Sequence, residues 1–215
     1  MDGLFAAMTP LPVMMTRSRR IWNLPNILTY GRVLAVPAVT ALLFWHRENW
    51  MRWLALAIFV AAAVTDYFDG YLARAWQQQS TLGRMLDPIA DKLLVAATLL
   101  MLVHAGTIRS WSIWAAIVIL CREILVSGLR EFLAELRVSV PVTALAKWKT
   151  TLQLVAIGFL IAGPAGEALF PGMVTIGLVL LWIAAGLTIY TGWDYMRASM
   201  KHVIDEDHGA EGGRP

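Results

Sequence analysis

Apolar residues in this chain run in blocks far longer than a soluble helix or strand needs. Crossing a bilayer takes about 20 residues at 1.5 Å rise each. Six blocks reach that length, and the pattern predicts helical spans near residues 27–46, 51–75, 83–105, 111–132, 148–170 and 172–198. Short polar stretches separate them. The expected fold class is therefore all-α integral membrane, with six transmembrane helices. Residues 10–26 mix three prolines and several bases with Ile21 and Trp22, which predicts an interfacial cytoplasmic segment over 1–26 ahead of a six-helix domain over 27–200. The charged, glycine-rich end, DEDHGAEGGRP from Asp205, predicts a disordered cytoplasmic tail over 201–215.

Composition agrees with lipid as the solvent: 58% of the 215 residues are hydrophobic and only 15% charged. A formal net charge of +3 would permit a nucleic-acid partner, but the bases flank apolar spans and form no stripe on a soluble domain, so none is expected. The single cysteine, Cys121, excludes an intramolecular disulfide and a CxxC metal site. The N-terminal twenty residues run from apolar to basic, the reverse of a secretory signal, so no cleavage is expected.

Lysine and arginine fix the orientation. One side of the predicted bundle holds Arg17, Arg19, Arg20, Arg74, Arg84, Arg137, Lys147, Lys149, Arg197 and Lys201; the other holds Arg47, Arg52 and Arg109. Both termini are thus placed in the cytoplasm, with Trp45, Trp50, Trp53, Trp111 and Trp114 as an aromatic belt at the far interface.

One stretch on the cytoplasmic side breaks the apolar pattern at a cost. DYFDGYLARAWQQQSTLGRMLDPIAD, Asp66 to Asp91, puts four carboxylates at the mouths of spans two and three. Charge within a span costs a few kcal/mol per group on insertion scales, about 2.5–3.5 at the helix centre, so these acids need a partner. Asp66 and Asp69 are three apart, and Asp87 and Asp91 four apart; on helices each pair shares a face. The short connection predicts antiparallel neighbours whose pairs face each other. An all-oxygen donor set without nearby His or Cys suits a hard cation such as Mg²⁺, Mn²⁺ or Ca²⁺ and argues against zinc or copper. Two carboxylate pairs match the needs of two metals clamping a phosphoryl substitution. Gly70 and Gly83 would let a bulky ligand approach, or serve helix packing; Arg74 would bind a phosphate, or anchor the membrane edge.

The string DxxDGxxARx8GxxxDxxxD is met at every fixed position by Asp66, Asp69, Gly70, Ala73, Arg74, Gly83, Asp87 and Asp91. It resembles the signature of the CDP-alcohol phosphotransferases. Within that family the chain is most similar to the bacterial enzymes that make phosphatidylglycerol phosphate, through NLPNILTYGR at Asn23–Arg32, LDPIADKLLVA at Leu86–Ala96, REILVSGLREFLAE at Arg122–Glu135 and LAKWKTTLQ at Leu145–Gln153. The resemblance implies six spans in the bacterial inner membrane, a homodimer, and a cytoplasm-facing site that moves a phosphatidyl group from CDP-diacylglycerol to sn-glycerol 3-phosphate, releasing CMP. It implies metal ligation by Asp66, Asp69, Asp87 and Asp91, two Mg²⁺ or Mn²⁺ ions, and Asp91 as the base on the acceptor hydroxyl. Asn26, Thr29, Asp69, Gly70, Ala73, Arg74 and Gly83 would line the nucleotide site.

The acceptor is a dianion and needs cations. Arg122 lies inside span four, where its charge is costly; Arg130 is eight residues on, with Ser127 between, and Lys147 and Lys149 begin span five on the same side. Arg122, Ser127, Arg130, Lys147 and Lys149 are the expected acceptor-phosphate pocket, although topology alone would also account for the two lysines. The motif leaves other acceptors open: inositol phosphate, serine or phosphatidylglycerol. A divalent-cation transporter and a non-catalytic scaffold are the readings from other classes. Arg32, in span one, either snorkels or pairs with an acid.

Overall fold

A computed structural model describes the backbone of residues 24–45, 48–76, 81–135 and 144–211, and the side chains of 27–45, 48–66, 85–135, 145 and 148–200. Six helices follow one another: α1 Leu24–Phe44, α2 Asn49–Trp76, α3 Thr81–His104, α4 Ser112–Glu135, α5 Ala144–Glu167 and α6 Met173–Glu211. They correspond one to one with the six predicted spans. The interfacial segment expected over 1–26 lies outside the described residues, apart from the first turn of α1.

Four helices, α1, α4, α5 and α6, are long and apolar enough over their described residues to cross a membrane. In α2 and α3 the ionisable residues Arg52, Asp66, Asp87, Asp91 and Lys92 lower the hydropathy. These are the two helices that carry the acidic motif. Large apolar side chains face outward on all six helices: Leu34, Ile124, Trp148 and Trp193 are each about 70% exposed, and Val64 on α2 and Leu100 on α3 are exposed too, a pattern stable against lipid and not against water. Inside, Phe59, Leu99, Leu102, Ile119, Ile157, Leu160 and Leu181 form one core with fully buried alanines at positions 55, 115, 156 and 184. The small side chains let helices approach closely, which is how membrane helices gain van der Waals contact without a hydrophobic drive.

The packing order differs from the sequence expectation. Among the described residues α2 and α3 barely touch; α1 packs against both and lies between them. Helices α5 and α6 pair along their length, α6 also packs on α4, and α5 closes on α2. Asp66 and the Asp87–Asp91 pair therefore converge across α1.

At the end opposite the acids, α5 is broken at Gly163, whose φ of 44° and ψ of −128° lie in a region open to glycine. Pro164 follows and supplies no N–H. Arg52, 3% exposed, fills the gap: its Nη1 donates to the Ile161 carbonyl and its Nη2 to Thr107 Oγ1, both at 3.2 Å. A Cβ at position 163 would come within 2.6 Å of that Nη1. Arg52, counted in the sequence as a loop base, is in fact a buried tie between α2, the α3–α4 turn and the α5 break. Glu167 then starts α6, accepting from Gly172 N–H at 2.7 Å and Val174 N–H at 2.8 Å, an anion on the free amides of a helix N-terminus. At the far end of α6 the helical backbone runs to Glu211, and residues 212–215 of the expected tail lie outside the described residues.

Candidate active site

Arg32 organises the acids. It sits two turns into α1 and is 1% exposed, and one atom, Nη1, lies 2.7 Å from Asp91 Oδ1, 2.9 Å from Asp66 Oδ1 and 3.9 Å from Asp87 Oδ1. The sequence left open whether Arg32 snorkels or pairs; it pairs. A buried guanidinium is tolerable only with such partners. Thr29, three residues earlier on the same face of α1, is equally buried and donates Oγ1–H to Asp87 Oδ1 at 2.5 Å. Its hydroxyl, expected at the nucleotide, is turned to a carboxylate. One helix thus orients acids from two others.

Asn26, Asp69, Gly70, Ala73, Arg74, Gly83 and Lys147 fall on α1, α2, α3 and α5, and their side chains lie outside the described residues. Among the described residues no three acidic, His or Cys side chains are close enough to hold an ion unaided. The described donors nevertheless have the chemistry of a hard-cation site: three carboxylate oxygens from two helices within 4 Å of one point, with no nitrogen or sulfur ligand among them. The charge that now occupies that point belongs to Arg32.

The acids open onto a cavity of about 310 Å³ whose lining includes Arg32, Asp66 and Asp91 together with Lys92, Glu123 and Arg130. That volume is in the range of small-molecule sites. Among the cations Glu123 is the hub. It takes Lys149 Nζ as a direct ion pair and Arg122 Nη1 at 3.4 Å, so the adjacent residues 122 and 123 meet each other as well as other helices. Arg122 Nη2 donates to Thr191 Oγ1 on α6 at 3.2 Å, and its stem lies flat on α6, where a Cβ at Gly192 would come 3.0 Å from Arg122 Cγ. Ser127 accepts from Lys92 Nζ. Arg130 places its guanidinium 5.8 Å from the Tyr195 ring centroid, a cation–π contact that limits where the head group can go.

Of the expected acceptor residues, Arg130 lines the cavity, Arg122 and Lys149 meet through Glu123, and Ser127 serves as a post for Lys92. Lys92 and Thr191 also belong to this network and were not singled out from the sequence. The signal for Lys92 was present, as a second charge beside Asp91 within a span. That for Thr191 was not, because a threonine in an apolar helix usually bonds its own backbone; this one does so too, to the Leu187 carbonyl at 2.8 Å.

A family model for CDP-alcohol phosphatidyltransferases matches residues 22–190. The chain belongs to that family. The matched stretch holds all the candidate site residues named from the sequence. Relatives extend the likeness beyond the motif. A Cereibacter sphaeroides protein named CDP-diacylglycerol–glycerol-3-phosphate 3-phosphatidyltransferase is 43% identical, over 86% of this chain and 99% of its own length. The protein of that name from Rickettsia bellii is 46% identical over 84% of this chain and 97% of its own. An Arabidopsis thaliana protein, the second of that name, is 40% identical over 88% and 84%. Membership in a family of CDP-alcohol phosphatidyltransferases gives the convergence of acids at this cavity a chemical context.

Proposed function

We propose that the chain transfers a phosphatidyl group from CDP-diacylglycerol to sn-glycerol 3-phosphate, giving phosphatidylglycerol phosphate and CMP. The observation that carries this reading is one cavity that carboxylates of α2 and α3 share with cations of α3 and α4. The carboxylates suit a metal-held diphosphate and the cations a second, phosphate-bearing reactant. Relatives at 40–46% identity bear the name of that reaction. The lysine and arginine bias supports a bacterial inner-membrane location with the cavity open to the cytoplasm, where a soluble acceptor can reach it. The homodimer expectation rests on family resemblance.

In this mechanism Asp66, Asp69, Asp87 and Asp91 hold two divalent ions, Mg²⁺ or Mn²⁺. When bound, such ions neutralise the diphosphate and stabilise charge developing on the departing CMP. The rest is the work of the chain. Arg130 and Lys92 draw the acceptor phosphate into the cavity, Arg122 and Lys149 add positive potential through the Glu123 network, and Lys147 is a further candidate for that pocket. Asp91 takes the proton of the acceptor hydroxyl as its oxygen attacks the phosphatidyl phosphorus. The bond from that phosphorus to the CMP oxygen breaks, and CMP departs with the electron pair. Thr29 and Arg32 keep Asp87 and Asp91 aimed while this happens.

Purified protein given CDP-diacylglycerol, Mn²⁺ and a panel of acceptors tests the reading. CMP release with glycerol 3-phosphate alone is expected. Release only with inositol phosphate, serine or phosphatidylglycerol would replace the acceptor, and no release together with metal flux into vesicles would replace the class.

Arg122→Ala bears on the cationic network. Removing the guanidinium frees Glu123 to take Lys149 alone and subtracts a charge beside the cavity. Acting through its charge and not through a direct bond, Arg122 should matter less than a charge-assisted bond to phosphate, worth about 1.5–3 kcal/mol, so the apparent KM for glycerol 3-phosphate should rise by less than about 10-fold with a smaller change in kcat. An unchanged KM in steady-state CMP release would remove Arg122 from the pocket.

A further inference from the structure

One wall residue of the cavity is left over by this mechanism. Gln153 on α5 is 3% exposed, yet its Oε1 has no hydrogen-bond partner among the described residues and its side chain lines the cavity shared by Asp91, Lys92 and Arg130. A buried amide oxygen without a donor is costly, and native structures rarely keep one without a use. Alanine, leucine or methionine would fill the same position on an apolar helix at no such cost. What is missing at Oε1 is a donor that arrives from the cavity.

The position of Gln153 selects the donor. It lies one turn along α5 from Lys149, on the face that carries Lys149 to Glu123. Glu123 also takes Arg122, so Gln153 reaches the cavity beside the cationic network that the acceptor phosphate would meet. The acceptor proposed above carries two hydroxyls: one attacks phosphorus and gives its proton to Asp91, while the other, on the central carbon, takes no part in bond making. We infer that Gln153 is a specificity-determining residue that accepts a hydrogen bond from the non-reacting secondary hydroxyl of the acceptor. The inference rests on the glycerol 3-phosphate reading and deepens it. A site built to bond a hydroxyl rejects an analogue lacking it far more strongly than an apolar pocket rejects a missing methylene, because the protein's own polar atom is then stranded.

The test compares glycerol 3-phosphate with 3-hydroxypropyl phosphate, which keeps the reacting hydroxyl and the phosphate and lacks the secondary hydroxyl. The assay is CMP release by the full-length protein with CDP-diacylglycerol and Mn²⁺. Wild type should favour glycerol 3-phosphate at least about tenfold in kcat/KM. Gln153→Met, of similar length and apolar, should bring that ratio to within about threefold of unity, by losing glycerol 3-phosphate turnover while sparing the deoxy acceptor. The ratio is taken within one preparation, so a smaller folded fraction does not alter it. Equal loss on both acceptors with the preference intact would assign Gln153 to packing and overturn the inference. A wild type that uses both acceptors equally well overturns it without any variant, which keeps the question decidable if Gln153→Met does not fold. Wild-type CMP release with neither acceptor, but with serine or inositol phosphate, would overturn the glycerol 3-phosphate reading itself, a result distinct from either of the others.

Discussion

Asp91→Asn is expected to lower kcat for CMP release by about 10²- to 10⁴-fold, the range lost when a positioned general base is removed, while leaving the helices assembled. The geometry explains why this acid is singled out. Asp91 Oδ1 meets Arg32 Nη1 at 2.7 Å, yet the side chain keeps 38% of its surface exposed, so one edge is fixed and the other faces the cavity. Asp87 is more enclosed, at 24%, and spends an oxygen on Thr29; Asp66 is tied to Arg32 from α2. The amide of the variant keeps an oxygen for Arg32 and nearly the same volume, so packing is preserved and the proton acceptor is lost. A second effect adds to this, since an amide is a poorer ligand for a hard cation than a carboxylate. The two are separable: raising Mn²⁺ recovers a metal-affinity defect and not a missing base. Single-turnover CMP release at saturating Mn²⁺ is the measurement, and residual turnover above about a tenth of wild type would contradict the base assignment, given the size of the effect expected.

The acids were legible in the sequence because charge inside an apolar span is conspicuous and their spacing is local: each pair lies within one turn of one helix. The six helices were legible for the same reason, as block length is a property of contiguous residues. What could not be read was which helices touch. Hydropathy states that α1, α2 and α3 are buried in lipid and says nothing about α1 lying between the other two, so the expected face-to-face contact of α2 and α3 became a convergence through Arg32. Thr29 and Asp87 are 58 residues apart, Arg32 and Asp91 59; no periodicity links such pairs. Arg52 shows the same limit from the other side. Its charge fitted a loop count, and only the break at Gly163 reveals the carbonyl it serves. Gln153 was visible as the last residue of a quoted stretch, but nothing in the sequence says that its amide oxygen lacks a donor.

Arg32→Met carries the second large expected effect, on stability. The substitution keeps most of the side-chain volume and removes the one group that Asp66, Asp87 and Asp91 share. Losing one partner of a buried ion pair costs about 3–5 kcal/mol. The lower end applies here, because Asp66 and Asp91 retain 47% and 38% exposure and can draw on water. A loss of about 3 kcal/mol corresponds to a fall in Tm of about 6–12 °C for a domain of this size, measured by thermal unfolding in detergent with chelator present. Divalent ions make the prediction sharper. If the carboxylates around Arg32 Nη1 also ligate cations, an added ion supplies the positive charge that the variant lacks. Mn²⁺ should then raise the Tm of Arg32→Met by more than it raises that of wild type, in which guanidinium and cation draw on the same oxygens. Stabilisation by a ligand that binds only the folded state grows as RT ln(1 + [L]/Kd), so a Mn²⁺ titration of both proteins yields the two affinities without any turnover. A variant as stable as wild type in chelator would mean that the acids do not depend on Arg32. A variant destabilised in chelator and indifferent to Mn²⁺ would mean that these carboxylates are a structural cluster, and the cation site would have to be sought elsewhere in the cavity.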